Sequence, residues 1–578
     1  MANQLKLVAT IGPANTAVEA SIDNGVTWKA VAMTTNGSQQ EGLLVDVAAG
    51  TYPAGTVKLR SVAFPAVVVS EPLARTVLGA ASSAAQIALN VSSVGNAILY
   101  AAGGTPNDFL YAFDPLTAPA IILPPSGAVK LSTLAGLVSD ADISSGSSLY
   151  GTNNTAVLQS FFDSASGVST SPLVVDWDVK VSHTGLKLKS YTKIYARAAC
   201  GAILLPQSNS ALFENKNKSF GAITDTDIGI YGPGIWNHNA FSGAAPPADA
   251  NNDSLYNQAH SSALIGWCCP IRMYGVNNFT WDGGTILRQR TFAMHLINTN
   301  GLRLRNGVID SGPNAPINTD GIHMNGHAND FEITNWQISA HDDKIALSPN
   351  DSIDRDVHGG NSTYYAGYAG NMTNGLVDGV EFTGGIFGVR VLSGANAISN
   401  VTVRNLYGKT KGYWLVMDNF RQVPIFDGGG PGFVNGMLFE NIFVQCENDN
   451  LSYTYDCAAN INCNAQNVTF RNVYRNTFSE SNFPSFLLSG SATTVTALRV
   501  ENYHGHDVSG QNFATAHVQI VEATVNGLAV QGQVSRTGPA NASPLVLLSS
   551  GNLSGLVTTG SLTENSGPLF VNVAGTLT

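Results

Sequence analysis

The sequence predicts an all-β chain built around a right-handed, single-stranded parallel β-helix, with a β-rich accessory domain before it. Three observations carry that expectation. Charged residues make up only 12% of the chain and glycine supplies 59 of 578 positions, which excludes a coiled coil, a helical bundle and a disordered chain. Short alternating apolar stretches end in Asn or Gly and then turn, with no helices between them. The asparagines among them recur: Asn306, Asn335, Asn405, Asn441, Asn472 and Asn502 stand 29, 70, 36, 31 and 30 residues apart, the 70 being about two turns. Strands at such a period build a solenoid, in which each turn buries its apolar face against its neighbours. Asparagine suits the corner because it tolerates the left-handed conformation and its amide can stack on the Asn one rung away.

Residues 1–130 read as the accessory domain. Short β segments at 4–11, 27–33, 42–47 and 56–61 are separated by turns such as Asp23-Asn24-Gly25 and Thr35-Asn36-Gly37. Residues 131–510 form the β-helix. Near 153–165 the spacing of Val157, Leu158, Phe161 and Phe162 predicts one amphipathic helix, placed to cap an open solenoid end. Repeat units then follow at 302–309, 331–338, 401–406, 438–442, 468–473 and 498–503. Residues 511–578 keep the alternation but lose the asparagines, as a C-terminal β cap or tail would.

The formal charge of −11 argues against nucleic acid or an anionic membrane as partner. No run of 18 apolar residues offers a membrane span. The first residues lack the apolar core of a secretory signal, so the expected setting is extracellular or virion-associated by another route. Six cysteines are too few for a disulfide scaffold. Cys446, Cys457 and Cys463 allow one local bridge, and none has zinc-site spacing. No metal and no cofactor are expected.

Two segments bear the candidate chemistry. One is Asn318-Thr319-Asp320-Gly321-Ile322-His323, the other His341-Asp342-Asp343-Lys344-Ile345-Ala346-Leu347. Asp320 and Asp342 are 22 residues apart, one short rung, and stacked rungs lie ~4.8 Å apart. Carboxyls gathered at one station repel, so at least one should hold its proton more tightly. Glycoside hydrolysis needs that combination, a protonated acid for the leaving oxygen and a carboxylate to activate water. On the residues alone, turn-capping aspartates and a calcium site remain open alternatives.

These motifs, in this order, resemble those of the polygalacturonase-like (family 28-like) glycoside hydrolases, whose fold is the pectin-lyase-like β-helix. Ile230-Tyr231-Gly232-Pro233-Gly234-Ile235-Trp236 resembles the family's early glycine-rich turn. Gly388-Val389-Arg390-Val391-Leu392 resembles the segment with its substrate-binding arginine. The similarity runs from about 180 to 480. It implies Asp342 as general acid, Asp320 and Asp343 as the pair that holds and deprotonates water, and Arg390 as the grip on the sugar. It also implies hydrolysis with inversion by a monomer without metal, and cleavage of internal bonds of a polysaccharide is expected.

Two departures matter. Leu392 stands where the family has a lysine for a uronate carboxylate, and Val357-His358-Gly359-Gly360 only roughly replaces its Gly-His-Gly. Both favour a neutral or non-pectic glycan, as in the dextranase-like relatives. His323, His341 and His358 flank the acids and are candidate partners of a carboxylate or a sugar hydroxyl, or else buried turn histidines. Trp236, Trp267, Trp281, Tyr364 and Tyr365 are candidate sugar platforms, or core. Arg288 and Arg290 could read an anionic sugar. Competing functions are a polysaccharide lyase on the same fold, and a phage tailspike that binds or depolymerises a capsule, which would be a homotrimer.

Overall fold

The computed structural model describes residues 122–144, 150–165, 167–206, 208, 210–219, 221–240, 269–312, 319–349, 370–419, 432–445, 459–477, 484–507, 516–536, 544–562 and 570–577; before residue 112 it describes 18–31 and a set of short strands. The chain separates into two units, Met1–Ala118 with Asn476–Phe478, and Pro119–Arg475 with Ser479–Thr578. In the first unit, Gln4–Ile11 runs antiparallel to Gln39–Val45 and parallel to Ile87–Asn90. A second small sheet orders Lys29–Val31, Val18–Ser21, Lys58–Ser61 and Val68–Ser70.

The second unit is a right-handed parallel β-helix whose strands join one continuous 31-stranded ladder. Each rung contributes to three sheets. The first holds Leu173–Trp177, Thr192–Ala196 and Asp225–Tyr231, the second Lys180–His183, Gly201–Leu204 and Ile235–Asn237, the third Leu186–Leu188 and Phe213–Asn215. Higher up, strands such as Met294–Asp310 and Ile322–Ser339 run through a corner and serve more than one sheet. Inward residues stack in columns: Ile230, Trp281, Leu304, Ile333, Val377, Val403 and Phe439 are register partners in turn, and all are fully buried. Such like-on-like layers supply the hydrophobic free energy that a long thin core needs.

The corners explain the asparagines. Asn306, Asn335, Asn405, Asn441, Asn472 and Asn502 all have φ between 53° and 59°. Their amides form a ladder: Asn335 donates to Asn306 (2.6 Å), Asn441 to Asn405 (2.9 Å), Asn472 to Asn441 (2.8 Å) and Asn502 to Asn472 (2.7 Å). The 70-residue gap is two rungs, because Gly379 takes the place between Asn335 and Asn405 with φ 67°. There Asn405 turns its amide to Asp378 instead.

A helix, α1 (Thr155–Ser164), lies at the first rung and buries Leu158 and Phe162. Gln159 faces the free edge of Leu186–Leu188 like a strand, its Oε1 accepting from Lys187 N (2.8 Å) and its Nε2 donating to Lys187 O (3.2 Å). Asn153 bridges to Ser182, and Val129–Lys130 pairs with Leu173–Trp177, so all three edges of that rung are covered. At the other end the ladder does not stop near 510. Val518–Val521 pairs with Phe486–Ser489, and Val546–Leu548 and Phe570–Asn572 continue the same sheet. The described residues from 516 on thus carry the same ladder, and the left-handed column through Ala497 continues with Gly527 and Gly555. Cys200 and Cys463 are free thiols, which removes Cys463 from the expected bridge. Cys446 and Cys457 lie outside the described residues.

Candidate active site

Asp320 stands two residues before the register pair Ile322–Ile345, and Asp343 opens the strand Asp343–Ser348. Continued back, that register sets Asp343 directly over Asp320 and Asp342 over Thr319. Two backbone bonds fix the corner: Gly321 N donates to Asp343 O (2.8 Å) and His341 N to Thr319 O (3.2 Å). The rung step is thus 23 residues, and the stacked pair is 320 with 343, not 320 with 342. All three carboxylates are buried, Asp342 being the most open at 8% exposure.

Each acid has a distinct neighbourhood. Asp320 Oδ2 lies 2.6 Å from Nδ1 of His323. The His323 ring stacks on Phe292 at 4.0 Å and meets His295 edge-on at 5.6 Å, and His295 Nδ1 is 2.7 Å from the Tyr274 hydroxyl. Tyr274, His295, His323 and Asp320 therefore form one buried polar file along the third sheet. Arg390 sits one rung above Ala346. Its Nη1 is 3.6 Å from Asp343 Oδ2 and its Nη2 donates to Asp418 Oδ2 at 3.1 Å. Burial pushes the Asp343 carboxyl well above the usual carboxylate range. Asp320 and Asp342 push it further, against the pull of Arg390 and His323. A cluster of this kind titrates as a unit and shares the proton it retains.

His341 is half-buried at the same corner, its carbonyl accepting from Ile386 N (2.8 Å). Other expectations need correction. Trp236 is fully buried, edge-on to Trp177 and Phe213 at 5.2 and 5.0 Å. It pairs with Ala202 and Ile286 in an inward column, so its rings serve the core and offer no face to a sugar. Trp281 is buried in the same way. Arg290 is only 2% exposed and spends its guanidinium on the carbonyls of Ser208 and Pro206. His358, Trp267, Tyr364 and Tyr365, and Asn318 of the first motif, lie outside the described residues.

Several residues of the site escaped the sequence reading. Asn325 and Ser348 are register partners two residues beyond His323 and Ala346, hence on the same outward face. Both are 1% exposed, and neither the Asn325 amide nor the Ser348 hydroxyl has a hydrogen-bond partner. Buried polar groups in that state call for a polar ligand or water. The period-two alternation that placed His323 outward could have found them. Among the described residues no three His, Cys, Asp or Glu side chains stand where one metal ion could join them.

No known family profile matches the chain, and no curated protein is detectably similar to it in sequence. Solved structures with a related course do exist. One is a family 28 exopolygalacturonase of Yersinia enterocolitica, 13% identical over 93% of this chain and 85% of that chain, with a TM-score of 0.46. Another is the tailspike protein of E. coli bacteriophage HK620, 12% identical over 84% of this chain and 82% of that chain, TM-score 0.48. A third is PfbA, a surface adhesin of Streptococcus pneumoniae, 13% identical over 78% of this chain and 90% of that chain, TM-score 0.34. Likeness at this level carries no argument about activity or acting residues, and the β-helix stands on the chain's own strand pairing.

Proposed function

We propose that the protein is a glycoside hydrolase that cleaves a polysaccharide by direct displacement at Asp320, Asp342 and Asp343. The observation that carries the reading is three buried carboxyls on two hydrogen-bonded rungs, one of them holding a proton beyond the usual range. Asp342, the most open of the three, passes the proton that the cluster shares to the leaving oxygen, which leaves Asp320 and Asp343 both ionised. Asp320 and Asp343 then hold the attacking water and take up its proton. His323 orients Asp320 through its 2.6 Å contact. Arg390, braced by Asp418, grips the sugar at the cleavage point, and Asn325 and Ser348 accept and donate to its hydroxyls. Leu392 in place of a cation favours a neutral or non-pectic glycan. The reading makes the polymer an extracellular or capsular one.

The test is reducing-end release across polygalacturonate, dextran, other neutral glucans and bacterial capsules, for wild type, Asp342→Asn and Asp343→Asn. Loss of a general acid or base lowers turnover by about 10²–10⁴-fold, and that loss in both variants is the expected result. A product absorbing near 235 nm would mean eliminative cleavage instead. Binding without cleavage, equal in wild type and variants, would make the chain an adhesin.

A further inference from the structure

Lys344 follows the acid pair directly, yet its side chain is fully buried. Its register neighbours are Gly321 below and Gly388 above. A Cβ on Gly321 would crowd Ile338, and one on Gly388 would crowd Phe382 and Trp414, so this column points into the coil. The lysine uses that space. Its Nζ lies 3.4 Å from the Asp342 carbonyl oxygen. Gly385, with φ 76°, closes the cavity: a Cβ there would overlap both Lys344 Nζ and the Ala340 carbonyl. An ammonium ion in an apolar coil is costly unless charge compensates it.

We propose that Lys344 is an interior counter-cation of the acid cluster, a positioning residue that lets Asp320, Asp342 and Asp343 carry more than one negative charge together. The inference rests on the hydrolase reading for its consequence but not for its test. The charged groups around Lys344 are Asp343 on its own strand, Asp342 just before it, Asp320 at the corner below and Lys411 at the corner above. Arg390 and His323 act on Asp343 from the outward side. The cluster is thus clamped between cations on two faces, Arg390 outside the coil and Lys344 inside. Burial lowers the Lys344 ammonium to about 7, and the three carboxylates oppose that fall. It is therefore charged at acidic pH.

The experiment follows folding stability against pH for wild type, Asp343→Asn, Lys344→Met and the double variant. The difference between wild type and Asp343→Asn reports where Asp343 titrates, and the same difference on the Met background reports it without the cation. The expected result is a midpoint raised by about one pH unit, since an opposite charge at close range shifts a carboxyl by 1–3 units. An unmoved midpoint overturns the proposal and leaves Lys344 a packing residue. Should the Met variant not fold, the Cε resonance of Lys344 in the labelled wild type decides: an amine already neutral at pH 5 overturns the proposal, an ammonium supports it. Hydrolysis is read separately on the same glycans. A shifted midpoint without cleavage keeps the counter-cation and sinks the hydrolase reading, and cleavage with an unmoved midpoint does the reverse.

Discussion

Asp343 makes its protonation a stability question. A carboxyl whose folded value is raised binds its proton more tightly in the native state than in the unfolded chain. Its favourable contribution is complete below the unfolded value, here 3.8, and is lost as pH rises through the folded one. Asp343→Asn keeps the shape without the charge. The variant should therefore melt higher than wild type at pH 7, with the gap closing as pH falls toward 4; a gap independent of pH would remove the proton from Asp343. At this scale legibility was uneven. The gathering of the acids could be read because their two motifs lie about one rung apart. Trp236 could not, since a tryptophan beside a glycine-rich turn looks the same whether it faces the coil or the solvent. Its alternation with Ala202 and Ile286 is visible only once the register is known. Lys344 was hidden for the opposite reason, a charged residue in a column that the glycines above and below had emptied.

The corner is the element that repeats, and its energetics are local. Asn472 holds φ 53° and both donates to Asn441 and accepts from Asn502. Asn472→Ala should lose two amide contacts and strain a left-handed position, about 2–3 kcal/mol together. Asn472→Gly keeps the conformation and loses only the ladder, so about half that cost is expected. Chemical denaturation of the two variants separates the terms, and equal costs would deny the backbone any share. The asparagine column was legible because one residue type dominates it. A second left-handed column, Asn278, Gly301, Asp330, Asn374, Asn400, Gly436 and Asn467, was not. There three residue types, Asn, Gly and Asp, solve the same backbone problem, and a sequence pattern cannot see a shared φ.

A solenoid is close to one-dimensional, so its ends and its middle answer to different residues. The candidate site lies on the rungs of Ile322 and Ile345. The first rung, at Lys187, is four pairing steps below His323 by way of Glu214, Arg272 and His295, a distance of about 19 Å at the usual strand spacing. Gln159 is what closes that rung, because one amide satisfies both the N–H and the C=O of Lys187. Gln159→Leu keeps the size and helix propensity but leaves that edge open, and open edges recruit other strands. The variant should form concentration-dependent oligomers by light scattering and lose protection from proteolysis around 155–190. Disturbance passes only between neighbouring rungs, so the monomeric fraction should keep wild-type hydrolysis per molecule, and Asp343 should titrate as before. Oligomers with an intact site would mean that edge cover and chemistry are separable along the coil. Loss of activity in the monomer would mean instead that the first rungs and the acid cluster fold as one cooperative block, in which case the Asn472 variants should also abolish activity rather than merely lower stability.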